Sequence, residues 1–129
     1  MKSGVFIVLF AQQSFEQALD TVKAAGLQSV EIGTGGFPGT AHVNAKEIVN
    51  DEAAVRAIRD AVDARGLTIS ALSCHGNPLH PNKAQARSDH EDFVATVQLA
   101  EKLGVDTVIT FSGCPGDSEN AKYPSWVTC

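Results

Sequence analysis

Long apolar runs, basic residues and cysteines are all scarce in this sequence, and each scarcity removes a class of protein. No apolar stretch approaches the roughly 18 residues of a membrane span, so no membrane partner is expected. Ten Lys and Arg stand against fifteen Asp and Glu, a formal net charge of −5. That balance argues against a nucleic-acid surface, which needs clustered positive charge. The three cysteines, Cys74, Cys114 and Cys129, are odd in number and follow no framework spacing. They read as free thiols in a reducing cytoplasm. What is present is apolar content of 43% over 129 residues, enough to fill a core and to exclude a disordered chain. At roughly 150 residues per domain, the chain is one domain or part of one.

The N-terminus imitates a secretory signal, with Lys2 ahead of the apolar run Gly4–Ala11. No small-x-small cleavage site follows, and Gln12-Gln13-Ser14 leads straight into a helical pattern. A buried first strand is the expectation.

Three times, an amphipathic stretch ends in glycine and a β-branched apolar run begins. The glycines are Gly26, Gly66 and Gly104, followed by Leu27–Ile32, Leu67–Leu72 and Val105–Thr110. Glycine at these places can take the left-handed conformation that ends a helix. Each short turn then feeds a strand apolar on both faces, as parallel strands covered by helices are. Ser14-x-x-Gln17 forms a capping box for a helix with Phe15, Ala18, Leu19 and Val22 on one face. Asn50 is expected to cap the next, with Ala54, Val55, Ile58 and Val62 inward. Ser88-x-x-Glu91 is expected to cap the third, burying Phe93, Val97, Ala100 and Leu103. The predicted order is strand 4–10, helix 15–25, strand 28–33, helix 51–65, strand 67–73, helix 88–103 and strand 106–112. With right-handed crossovers and no hairpin signal, this is one parallel α/β sheet.

The connections after strands two, three and four are long: Gly33 to Val49, Cys74 to Arg87 and Gly113 to Cys129. In parallel α/β folds, chemistry sits on these loops at the carboxyl ends of the strands. Gly33-Thr34-Gly35-Gly36-Phe37-Pro38-Gly39 follows a strand, but Pro38 takes the place of the third dinucleotide glycine and no P-loop lysine is present. It reads as a glycine-rich rim loop. Cys74-His75-Gly76-Asn77-Pro78-Leu79-His80-Pro81 carries the most chemistry. His75, just past the third strand, is placed to hydrogen-bond substrate hydroxyls. Its spacing to His80 is not that of helical zinc ligands, and no Cys-x-x-Cys partner exists. His80 between prolines reads as structural, His90 as solvated, and His42 stays open. Ser112 lies outside a G-x-S-x-G elbow, so a hydrolase nucleophile is not expected; Cys114 reads as an inert loop thiol. Tyr123 and Trp126 are placed to wall a pocket, while Glu31 is expected to be paired. No pair of strand-end carboxylates suited to metal ligation or proton transfer is visible.

Val30–Gly36, Leu72–Pro81 and Thr110–Asp117 together resemble the sugar phosphate isomerase/epimerase group. These are xylose isomerase-like TIM barrels, more distantly related to endonuclease IV. The resemblance covers the entire chain and implies the first four strands of a (β/α)8 barrel, a fold of about 250 residues. It implies a divalent ion, Mn2+ or Mg2+, in the full-length protein, held by residues of later strands, with none held tightly by this chain. Glutamates of the missing half would move a proton on a bound ketose or its enediolate. By position, His75 matches a strand-three histidine that contacts substrate, Ser112 the strand-four rim, and Phe10 an apolar first-strand wall. With Asn77 and Trp126, these are the expected contacts to a small sugar. Two functions are carried forward: part of a metal-dependent sugar isomerase or epimerase, inactive alone, or a non-catalytic half-barrel that self-associates. A homodimer, or pairing with the missing C-terminal half, would close the open edges.

Overall fold

A computed structural model describes residues 1–127. The elements run β1 (Gly4–Phe6), a 3-10 turn (Ile7–Phe10), α1 (Phe15–Ala24), β2 (Ser29–Gly36), α2 (Ala45–Ile48), α3 (Glu52–Asp63), β3 (Thr68–His75), α4 (Lys83–Leu103), β4 (Val108–Thr110) and a final 3-10 turn (Ser125–Val127). All strand pairs are parallel, in the order β1-β2-β3-β4. The expected alternating α/β half-barrel is therefore present. No described helix is long and apolar enough to cross a membrane.

The repeat glycines do what their positions demand: Gly26, Gly66 and Gly104 have φ of 75°, 64° and 68°, in the region costly for any residue with a Cβ. The capping box of α1 forms in both directions between Ser14 and Gln17. Ala18, Leu19 and Val22 of α1, and Val55, Ile58 and Val62 of α3, are buried as their spacing requires. Leu19, Val22, Val55, Ile58 and Val62 meet Val30, Ile32 and Leu72 of the sheet in one core.

Four expectations are corrected. The first strand ends at Phe6, because β1 has a single neighbour and its pairing stops at Glu31; Ile7–Phe10 then coils into the 3-10 turn. The fourth strand likewise keeps only Val108–Thr110, opposite Leu72–Cys74. Asp51, not Asn50, caps α3, its carboxylate accepting from the Ala53 and Ala54 amides at 3.0 and 3.1 Å. Helix α4 begins at Lys83, since the Asn82 side chain accepts from the Ala84 and Gln85 amides and Lys-Ala-Gln-Ala-Arg is a run of strong helix formers. Ser88 and Glu91 thus fall inside the helix. Its buried face carries Asp89, Ala95, Thr96, Leu99, Ala100 and Leu103, while Val97 stays 42% exposed and Phe93 only half-buried. A polar bridge helps set this phase: the Thr34 and Thr96 hydroxyls lie 2.9 Å apart, with the Ser73 and Asp92 carbonyls as acceptors.

Candidate functional site

Strand alternation sends Ile32, Leu72 and Cys74 toward the helices, so Glu31, Ser73 and His75 lie on the opposite face. There the Ser73 hydroxyl donates to the Glu31 carboxylate, the pairing expected for that residue. At the carboxyl end of β3, half-buried His75 stacks on Phe111, centroids 4.6 Å apart and planes 19° from parallel. Phe6 meets His75 edge-on at 6.3 Å, and Phe37 lies 6.2 Å from Phe111. An apolar hollow of about 800 Å3 opens beside this stack, lined by Phe37, Thr110, Phe111, Ser112, Gly113 and Trp126.

A second, more polar cleft of about 690 Å3 shares Phe37 and Trp126 with the hollow. It runs between α2 with its preceding loop and the first half of α4. Lys46 of α2 pairs with Asp92 of α4 at 2.6 Å across it, and this partner holds the lysine above its ordinary pKa. Beneath it, the buried Asp89 carboxylate accepts from the Asn77 amide at 2.7 Å and from Gln85 Nε2 at 2.8 Å. Burial, the largest cause, pushes the Cys74 thiol up from its usual range; Thr96 opposes it through a hydrogen bond. Cys74 is therefore a protonated core residue.

Asn77 clamps the two rim loops together. Its Nδ2 donates to the Cys114 carbonyl at 2.9 Å, and its Oδ1 accepts from Cys114 N at 2.8 Å and Leu79 N at 3.2 Å. The approach is possible because residue 113 is glycine: a Cβ there would sit 2.9 Å from Asn77 Oδ1, and its φ is +92°.

Of the expected contacts, the structure gathers His75, Asn77 and Trp126 around the polar cleft and Ser112 and Trp126 around the hollow. Asn77 is 1% exposed and spent on the loops, so it positions the rim. Phe10 lies in the 3-10 turn and packs on the core; it lines neither opening. His80 Nδ1 accepts from the Asn82 amide, a structural role, and His42 sits 3.2 Å from the Gln13 carbonyl. Cys74 and Cys114 are free thiols; Cys129 lies outside the described residues. Among the described residues, no group of three or more His, Cys, Asp or Glu side chains is arranged to hold a metal ion. Sequence reasoning missed Lys46, Asp89 and Asp92. Helix α2 was hidden in a long loop, and starting α4 at Ser88 left both aspartates near the helix start, away from any predicted partner. The available signal was the three-residue spacing of two acids on a helix facing a loop lysine.

The chain matches the family described as Xylose isomerase-like TIM barrel over residues 19–128. It is 34% identical over 115 residues to the uncharacterized protein YfiH of Bacillus subtilis (strain 168), covering 88% of this chain and 36% of that protein. Among solved structures it resembles protein SMc04130 from Sinorhizobium meliloti 1021, with a TM-score of 0.58, 21% identity, and coverage of 92% of this chain and 39% of the other. It also resembles a xylose isomerase domain protein from Planctomyces limnophilus, with a TM-score of 0.57, 13% identity, and coverage of 94% and 45%. The chain thus spans less than half the length of each of these relatives. With four parallel strands matching part of such a barrel, it belongs to the xylose isomerase-like TIM barrel family.

Proposed function

We propose that this chain forms one wall of the site of a cytoplasmic sugar or sugar-phosphate isomerase or epimerase. The observation that carries the reading is the aromatic stack at the strand ends, His75 on Phe111 with Phe37 alongside. Sugar rings present C–H faces to aromatic surfaces and hydroxyls to polar groups at their edges. Here the aromatic faces line a hollow whose rim carries the Ser112 hydroxyl, and His75 ends the same stack. An imidazole both donates and accepts, so His75 orients two hydroxyls or a carbonyl and its neighbour. Phe6, Phe37 and Phe111 give that side an apolar surface on which a sugar's C–H face can rest. This chain's part is binding and orientation.

A divalent ion, Mn2+ or Mg2+, and carboxylates that move a proton through an enediolate belong to the proposed activity of the whole protein. The described side chains do not make a metal site, so no step is assigned to one here. The test is a 1H–15N NMR titration of the chain with D-fructose and D-fructose 6-phosphate. Shifts should cluster at His75, Phe111, Ser112 and Gly113. Shifts scattered over the surface, or none, would refute the reading.

A second reading has its own support. Among the described residues the outer edges of β1 and β4 are unpaired, and Ile109 of β4 is an apolar side chain 37% exposed. Exposed edges with apolar flanks recruit another strand. A second copy would complete eight strands, making a self-associating half-barrel. Sedimentation showing a monomer at all concentrations would refute it.

A further inference from the structure

The polar cleft is larger and more richly provided than one sugar at the strand ends requires, and its free groups are of one kind. Its 690 Å3 falls within the roughly 300–1,000 Å3 that encloses a drug-sized ligand. It joins the apolar hollow through a common wall, Phe37 and Trp126. The charged groups in it are already engaged: Lys46 with Asp92, and Asp89 with Asn77 and Gln85. Two carboxylates against one lysine make it unsuited to a phosphate, which binds where donors and positive charge converge.

What remains open are neutral hydrogen-bonding groups. The Thr40 and Ser88 hydroxyls, the Asn44 side-chain amide and the Tyr123 phenol line the cleft with no hydrogen-bond partner among the described residues. Asn44 is notable because it sits at the N-cap of α2 without capping it. Neutral donors and acceptors converging beside exposed Phe37 and Trp126 suit a polyhydroxylated ring, hydroxyls on one side and a C–H face on the other.

We infer that this cleft is a second sugar subsite, so that the ligand is a disaccharide or other glycoside whose far ring lies between α2 and α4 while its near ring meets His75 and Phe111. This rests on the proposed sugar-binding function and extends it to a substrate class. The near ring carries the reacting carbons; the far ring supplies affinity and register.

Trp126 is the sole tryptophan and lies on the shared wall, so its fluorescence reads both subsites. The 129-residue chain is titrated with D-fructose, with lactulose (a disaccharide ending in a fructose unit) and with D-fructose 6-phosphate. Lactulose should bind about tenfold tighter than fructose, the value of one or two net hydrogen bonds. The double variant N44A/S88A should bring that ratio to near one. Neither change threatens the fold: Asn44 makes no capping bond, and alanine is the better helix former at mid-helix Ser88. Equal affinity for the two sugars, a preference for the phosphate, or a ratio unchanged in N44A/S88A would overturn the subsite and leave the sugar-binding reading standing. Failure of all three to bind would overturn both.

Discussion

Replacing Asn77 by alanine removes one amide and strands groups on two loops. The side chain is 1% exposed and makes three hydrogen bonds, of 2.9, 2.8 and 3.2 Å, to Cys114 O, Cys114 N and Leu79 N. A buried polar group left without a partner costs about 1–3 kcal/mol. Cys114 is only partly buried, so water takes up part of the loss, and the sum should be about 3 kcal/mol. With a urea m-value of roughly 1–3 kcal/mol/M, the unfolding midpoint should fall by about 1–3 M. Such a loss is a large share of the roughly 5–15 kcal/mol of a typical domain. Asn77→Asp separates hydrogen bonding from volume. It keeps the acceptor for the Cys114 and Leu79 amides but turns an oxygen toward the Cys114 carbonyl. Despite equal size, it should cost about as much as alanine, and the Cys114 amide should exchange faster in the alanine variant, where its acceptor is gone. An Asn77→Asp protein as stable as the parent, or unchanged Cys114 exchange in Asn77→Ala, would refute the clamp.

Gly113→Ala should cost more than 1 kcal/mol, since φ is +92° and the new methyl would meet Asn77 Oδ1 at 2.9 Å; a smaller loss in the same urea assay would count against the close approach. Lys46→Met should cost under about 1 kcal/mol, because Lys46 is 42% exposed, and the difference should vanish in 1 M salt. The raised lysine pKa means that the lysine's side of the contribution is present at neutral pH and is lost as pH rises past the ordinary value of 10.5. Cys74 should resist iodoacetamide in the native state while Cys114 reacts, as read by peptide mass spectrometry; burial with a raised pKa leaves no thiolate. The same shift makes stability decline as pH climbs above the thiol's ordinary 9.0, because only the folded chain then keeps that proton.

Element order and parallel topology were legible because two local signals agree: a glycine that must turn left-handed and a β-branched run that must be covered on both sides. Leu19, Val22, Ile58 and Val62 were read as core from spacing alone, since each helix has one buried stripe. Strand ends were not legible. Phe6 and Thr110 are followed by residues of equal β propensity, and what ends those strands is a missing neighbour, a tertiary fact. At the site, His75 and Trp126 were singled out because their loops are chemically conspicuous, and both line the polar cleft. Asn77's bonds to two loops were not legible, because an asparagine free to bind and one already holding two loops look identical in sequence. Lys46 and Asp92 meet only once α2 and α4 pack, so no local pattern announces the pair.

The sheet is also laid down in the order in which it is translated. Among the described residues no strand pairs with any but its sequence neighbour, and no pairing spans more than a single βα unit. At about 5–20 residues per second, each new unit leaving the ribosome meets an edge already built, and nothing finished has to open to admit it. The sheet can grow by accretion, its advancing margin moving from β1 to β4 while the outer edge of β1 stays open. The nascent molecule therefore carries two adhesive margins, the fixed outer edge of β1 and its newest strand.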